Sequence, residues 1–146
     1  MKIRNVDKSV HNTHEYSTEA SAGMDIRASL NEDLIIEPMQ CVLIQTGIFL
    51  ENLNSFKVLI RARNRLEINK RIEVLNSPGA IDSDYRGEVW IVMINLSVDI
   101  FIVKDGDRIC QKVIGKHERA YWIIVYYLVN TMRDSVGFGH TGKEKS

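Results

Sequence analysis

Short apolar runs rich in Val, Ile and aromatic residues recur along the chain, each broken by Gly, Asn, Asp or Pro. They predict strands over residues 2–6, 24–29, 41–50, 56–61, 88–97, 99–104, 108–116 and 121–129. β-Branched enrichment, with turn signals about every 8–12 residues, argues for an all-β sandwich or barrel. One helix of about two turns is predicted over "NRLEIN" (64–69), with Asn64 as its cap. The run "YWIIVYYLV" (121–129) breaks the pattern, because both of its faces are apolar and it carries three tyrosines. A half-buried strand alternates polar and apolar positions. Two readings follow: a strand buried on both faces, or a protein-binding surface presenting Tyr121, Trp122, Ile124, Tyr126 and Tyr127. The run is too short for a membrane helix, which needs about 20 residues.

Composition narrows the class. At 146 residues the chain fits one domain, and such a domain buries about 68–70% of its unfolded surface. Lys plus Arg number 19 and so do Asp plus Glu, so the net charge is zero. A general nucleic-acid binder usually carries a basic face, so nucleic acid is not an expected partner. Cys41 and Cys110 are far apart, with no His/Cys cluster beside them. They read as small buried hydrophobes in a reduced, cytoplasmic setting, not as zinc ligands. "MKIRNVDKSV" has no signal-peptide pattern.

Four stretches carry chemistry. In "NSPGAIDSDYRGE" (76–88), Pro78-Gly79 makes a turn. If the rest is extended, Asp82, Asp84, Arg86 and Glu88 share one face. The stretch reads either as a polar surface hairpin or as a site that activates water beside a sugar or ring. In "SAGMDIRA" (21–28), Ala22-Gly23 permits close backbone approach ahead of Asp25. "DGDRICQ" (105–111) is a tight turn into a strand, with Arg108 and Gln111 three apart. "RDSVGFGHTG" (133–142) is glycine-rich backbone of the kind that offers N–H groups to phosphates, yet it lacks the ending of a P-loop. Upstream, "IRARNRLEINK" (60–70) packs three arginines into five positions. It is a ligand clamp, a solvated charge run, or an altered phosphate site.

"AGMDIRA", an Arg-rich segment, "LNSPGAIDSDYRGE", "GDRICQ" and a terminal "R…GFGHTG" stand in this order and spacing. The set closely resembles the five motifs of the trimeric dUTP diphosphatases, the dUTPases, over residues 3 to 143. The related dCTP deaminases match less well, lacking the terminal motif. The resemblance implies a jelly-roll β-barrel over residues 1–132 and a flexible arm over 133–146 that closes the site. It implies a homotrimer whose sites borrow parts from all three chains, and hydrolysis of dUTP to dUMP and pyrophosphate with Mg2+. By the same resemblance, Asp82 would deprotonate the attacking water and Tyr85 would pack on the deoxyribose. Asn76 and backbone near Gly79 and Ile81 would read uracil. Arg63, Asn64 and Gln111 would bind phosphate, and Asp25 would hold Mg2+ through water. Phe138 would stack on uracil, with Arg133, Gly139, His140 and Thr141 near the outer phosphates.

The second motif departs from the family's Arg-Pro-Arg-Ser-Gly-Leu-Ala. Here it reads "RARNRLE", with Asn64, Arg65 and Glu67 in place of serine, glycine and alanine. Losing one preorganised donor costs about 10²–10³ in rate, so this change is expected to weaken turnover. Asp134 replaces a usual glycine in the fifth motif. The alternative reading is a divergent or re-engineered trimer that has lost catalysis and serves in assembly.

Overall fold

The computed structural model describes residues 3–11, 14–51, 54–132, 134 and 135. The strands are β1 (Arg4–Asp7), β2 (Gly23–Arg27), β3 (Leu34–Ile36), β4 (Cys41–Ile44), β5 (Ile48–Glu51), β6 (Phe56–Arg61), β7 (Ile72–Val74), β8 (Gly79–Ile81), β9 (Ile91–Asn95), β10 (Phe101–Val103) and β11 (Arg108–Lys116). Among the described residues a single helix, α1 (Asn64–Lys70), follows β6. The strands pair antiparallel in four small sheets, of which the largest has the order β2-β11-β6-β8. The architecture is an all-β barrel of jelly-roll type.

Alternation builds the barrel. In β2, Met24 and Ile26 point inward, and in β9 Ile91, Met93 and Asn95 do so. Ile36, Ile44, Ile48, Ile72 and Ile109 complete the centre of one core. Each such side chain contributes about 1.5–3 kcal/mol by leaving water. Two buried polar side chains, Thr46 and Asn95, bond to backbone carbonyls. Thr46 donates to the Val89 carbonyl at 2.6 Å, and Asn95 donates to the carbonyls of Ile36 and Asp99 at 2.9 and 2.8 Å.

Several expectations change. The predicted strand over 41–50 is two strands, β4 and β5, separated by a turn at Gly47. The strands β3, β7 and β8 were not anticipated from the pattern. The helix lies where expected, but its N-cap is Arg63, with no side-chain cap bond, and Asn64 is already helical. Leu66 anchors this helix by packing on the core. Cys110 is buried as expected, whereas Cys41 is exposed, and both are free thiols. Residues 121–129 form no strand and are exposed throughout, from 54% at Val125 to 105% at Tyr126. Among the described residues, none covers either face of this run. Among the described residues, no helix is long and apolar enough to cross a membrane.

Candidate active site

Asp25 is the centre of one cluster. It follows the inward-facing Met24, so its side chain lies on the outer face of β2. Gln111 on β11 sits opposite it and donates its amide to Asp25 Oδ1 at 3.2 Å. Arg63 Nε approaches the same oxygen at 3.5 Å, and Arg108 Nε approaches Oδ2 at 3.4 Å. Arg63 also donates to the Arg108 carbonyl at 3.2 Å. A register shift between Arg108 and Cys110 makes this grouping work. In a regular strand two residues three apart face opposite sides. The bulge turns both Ile109 and Cys110 into the core, so Arg108 and Gln111 both reach Asp25. Burial pushes the Cys110 thiol far above its ordinary range, so it stays protonated and inert.

Beside this cluster opens a cavity of about 400 Å³, lined by Arg27, Arg63, Arg65, Arg108 and Asp107 among others. Arg27 is fixed by its bond to the Gly106 carbonyl at 2.7 Å. Four guanidiniums meet two carboxylates here, counting Asp25, which leaves a cationic excess suited to a phosphate chain. Arg27 escaped the sequence reading, although it has the same strand parity as Asp25.

A second group lies on the loop from Asn76 to Glu88. Asn76 donates to the Trp90 carbonyl at 2.9 Å and accepts from the Val92 N–H at 3.0 Å, pinning the loop against β9. That leaves its carboxamide one hydrogen and one lone pair for a ligand. Gly79 has no room for a side chain, because a Cβ there would strike the Asn76 carbonyl oxygen. Residues 82–88 are turned rather than extended, so the expected common face of Asp82, Asp84, Arg86 and Glu88 does not form. Glu88 accepts the N–H groups of Thr46 and Gly47 at 3.1 and 2.7 Å, and Arg86 donates to the Ser83 and Tyr85 carbonyls. These two act as structural ties. The Tyr85 hydroxyl donates to the Glu88 carbonyl at 2.9 Å. Asp82 and Asp84 are left exposed, at the edge of a cavity of about 470 Å³ shared with Lys57, His117 and Arg119. His117 Nδ1 is buried there without a hydrogen-bond partner. No motif pointed to His117, since it lies just past the end of β11.

The two groups do not meet within one chain. Ile81 pairs with Val58, whereas Gln111 pairs with Arg61 and Asp25. Three residues along β6 and three strand spacings across the sheet separate Asp25 from Ile81 by roughly 17 Å. Asp82 lies one residue beyond. Arg133, Phe138, Gly139, His140 and Thr141 lie outside the described residues. Asp134 has φ 46°, a left-handed conformation that glycine adopts without strain.

The dUTPase family model matches residues 11–142. The chain belongs to the dUTPase family. A deoxyuridine 5'-triphosphate nucleotidohydrolase from Finegoldia magna is 41% identical over 142 residues, covering 97% of this chain and 99% of that protein. The enzyme of the same name from Rickettsia rickettsii is 43% identical over 142 residues, covering 97% and 96%. Among solved structures, a Staphylococcus bacteriophage 80alpha dUTPase with dUpNHpp superposes with TM-score 0.81 at 19% identity, covering 97% of this chain and 99% of that one. A phage phi11 dUTPase, described as coordinating a structural Mg(II) ion, gives TM-score 0.79 at 16% identity, covering 89% and 100%. At these identities the structural likeness speaks for the fold. The dUTPase motifs thus fall in two places on this barrel, with the first, second and fourth around Asp25 and the third around Asp82.

Proposed function

We infer that this chain hydrolyses dUTP to dUMP and pyrophosphate. The observation that carries the reading is family membership across residues 11–142, with relatives of that activity at 41–43% identity. The roles within the reaction follow from the chemistry of each position. Asp82, exposed on the loop after β8, holds and deprotonates the water that attacks the α-phosphorus in line. Tyr85 packs on the deoxyribose and leaves no room for a 2′-hydroxyl. Asn76 and the backbone at Gly79 and Ile81 read the uracil edge, where a wrong base leaves polar groups unpaired. Arg63, Asn64 and Gln111 receive the phosphates. Arg133, Phe138, Gly139, His140 and Thr141, on an arm over residues 133–146, close over base and outer phosphates.

Mg2+ fits the donor set. It takes one or two carboxylates together with substrate phosphates and keeps much of its water. Asp25, a lone carboxylate beside phosphate-binding arginines, suits that mode of binding. Among the described residues there is no three-membered His/Cys/Asp/Glu cluster for an all-protein cage. Asp25 would hold the ion through water, and when bound the ion neutralises charge on the triphosphate.

The working unit is a homotrimer in the cytoplasm. Two observations support self-association. Asp82 and the Asp25 cluster are too far apart in one chain to act on one nucleotide, and the exposed apolar run 121–129 calls for a protein cover. The test is pyrophosphate release from dUTP with Mg2+, against UTP, dTTP and dCTP. We expect dUTP to be preferred by at least about 10³ in kcat/KM. An absence of turnover, or equal turnover of UTP, overturns the assignment.

A further inference from the structure

Arg65 stands where the family motif has glycine, and it faces the same cavity as Arg63 and Arg108. The other arginines of that cavity are engaged. Arg27 is bonded to the Gly106 carbonyl, Arg63 to Asp25 and the Arg108 carbonyl, and Arg108 to Asp25. Arg65 has no hydrogen bond or ion pair with any described residue. Its five N–H donors are available in a planar fork, the geometry that grips phosphate in a bidentate manner.

The setting favours a ligand role over a solvated surface charge. Four guanidiniums converge on one concave site. Among the described residues of the site, two carboxylates, Asp25 and Asp107, offset their mutual repulsion, and Asp25 is already held by Arg63 and Arg108. A polyanion entering the cavity would relieve that imbalance, and the one arginine without a commitment is free to follow it.

We propose that Arg65 is an additional phosphate ligand of this site, gripping the outer phosphates of the triphosphate and of the pyrophosphate product. It puts a side-chain fork where other family members bring backbone close through glycine. The proposal rests on the site being the dUTP-hydrolysing one. On this account the altered second motif exchanges one means of holding phosphate for another. Pyrophosphate binds more tightly for it, and more salt-dependently.

The experiment uses the full assembled chain and inorganic pyrophosphate as the probe, titrated calorimetrically, with dUMP as a control. Arg65→Ala should weaken pyrophosphate about tenfold or more, leave dUMP within about twofold, and flatten the salt dependence of pyrophosphate binding. Arg65→Lys should recover part of the affinity, since it restores the charge without the fork. Arg65→Ala should also raise KM for dUTP. Pyrophosphate affinity unchanged in Arg65→Ala, or lost together with dUMP affinity, overturns the proposal. If the wild-type chain does not turn over dUTP, the pyrophosphate titration still reads Arg65 directly, so the two failures separate. Arg65 is exposed and bonded to nothing described, so the variants should keep the wild-type melting temperature.

Discussion

Arg63 Nε stands 3.5 Å from Oδ1 of Asp25, and Arg108 Nε faces the other oxygen of the same carboxylate at 3.4 Å. The Asp25 side chain is only 15% exposed. One carboxylate therefore holds two of the arginines that line the cationic cavity. Asp25→Asn keeps the shape and removes the charge that holds them. The expected result is a fall in dUTP kcat/KM of about 10²–10³-fold, the range for losing a preorganised group aimed at developing charge. The loss of fold stability should be near 1 kcal/mol, because both arginines reach solvent. Steady-state pyrophosphate release and a thermal melt check the pair of expectations. Activity within a few-fold of wild type would mean the arginines hold their places without Asp25.

Tyr85 and Gly87 form a second tight relationship. A Cβ on Gly87 would collide with the Tyr85 phenol, whose hydroxyl donates to the Glu88 carbonyl. Gly87→Ala therefore displaces the ring while leaving the barrel core alone. Discrimination between dUTP and UTP should fall roughly tenfold with little change in melting temperature, because the ring is the expected gate against a 2′-hydroxyl. A matched pair of kcat/KM measurements decides it. Unchanged discrimination removes Tyr85 from the sugar site.

What the sequence revealed depended on strand length and on where the burying partner sits. The strands β6 and β11 were legible to the residue, since each is long enough to show its run of β-branched residues. Three-residue strands such as β7 give too few positions for alternation to register. The bulge at Ile109–Cys110 was invisible, because "RICQ" reads as an ordinary strand. It alone explains how Arg108 and Gln111 share Asp25. Residues 121–129 looked like a strand because their side chains demand burial, yet no described residue buries them. Asn64 looked like a cap by type, whereas Arg63 takes the extended cap conformation. The third motif was legible as a set of residues but not as a shape, since its turns pull Arg86 and Glu88 away to bond backbone.

A buried lysine gives the fold a definite pH signature. Lys112 follows Gln111 on the inward face of β11 and is 2% exposed. Burial pulls its ammonium down to about 8, against the pull of the nearby Asp7 carboxylate. The unfolded lysine holds its proton to about 10.4. Between pH 8 and that value the unfolded chain binds the proton that the folded chain has shed, so stability rises with pH across this window. Below pH 8 the full cost of a buried ammonium stands, about 1–3 kcal/mol. His14 lies 3.2 Å from Asp7. Burial, and then the charge of Lys112, hold its imidazole below the usual value. As pH falls past 6.5 the unfolded histidine takes up its proton first, and stability is lost. Lys112→Met should be more stable than wild type at pH 7 and lose the alkaline rise, and His14→Gln should soften the acid loss. Urea midpoints at pH 5, 7, 9 and 10 test both, and curves parallel to wild type would refute the linkage.

The roughly 17 Å between Asp25 and Ile81, the residue before Asp82, leads to the sharpest test of how the site is assembled. If one chain supplied both, a chain lacking either would be dead in any mixture. If Asp82 from one copy faces Arg63 from another, two dead chains can complete each other. In the proposed roles, Asp82→Asn removes the base and Arg63→Ala a phosphate ligand, and each alone should lower turnover by at least about 10²-fold. Unfolded together at equal amounts and refolded, they form mixed assemblies. A given site then draws its Asp82 from an Arg63→Ala chain half the time and its Arg63 from an Asp82→Asn chain half the time. About a quarter of the sites are therefore intact, and about a quarter of wild-type activity should return. Mixing the folded variants without unfolding should return far less. Refolded mixtures no more active than their components would place both residues in a single-chain site and dismiss the shared one.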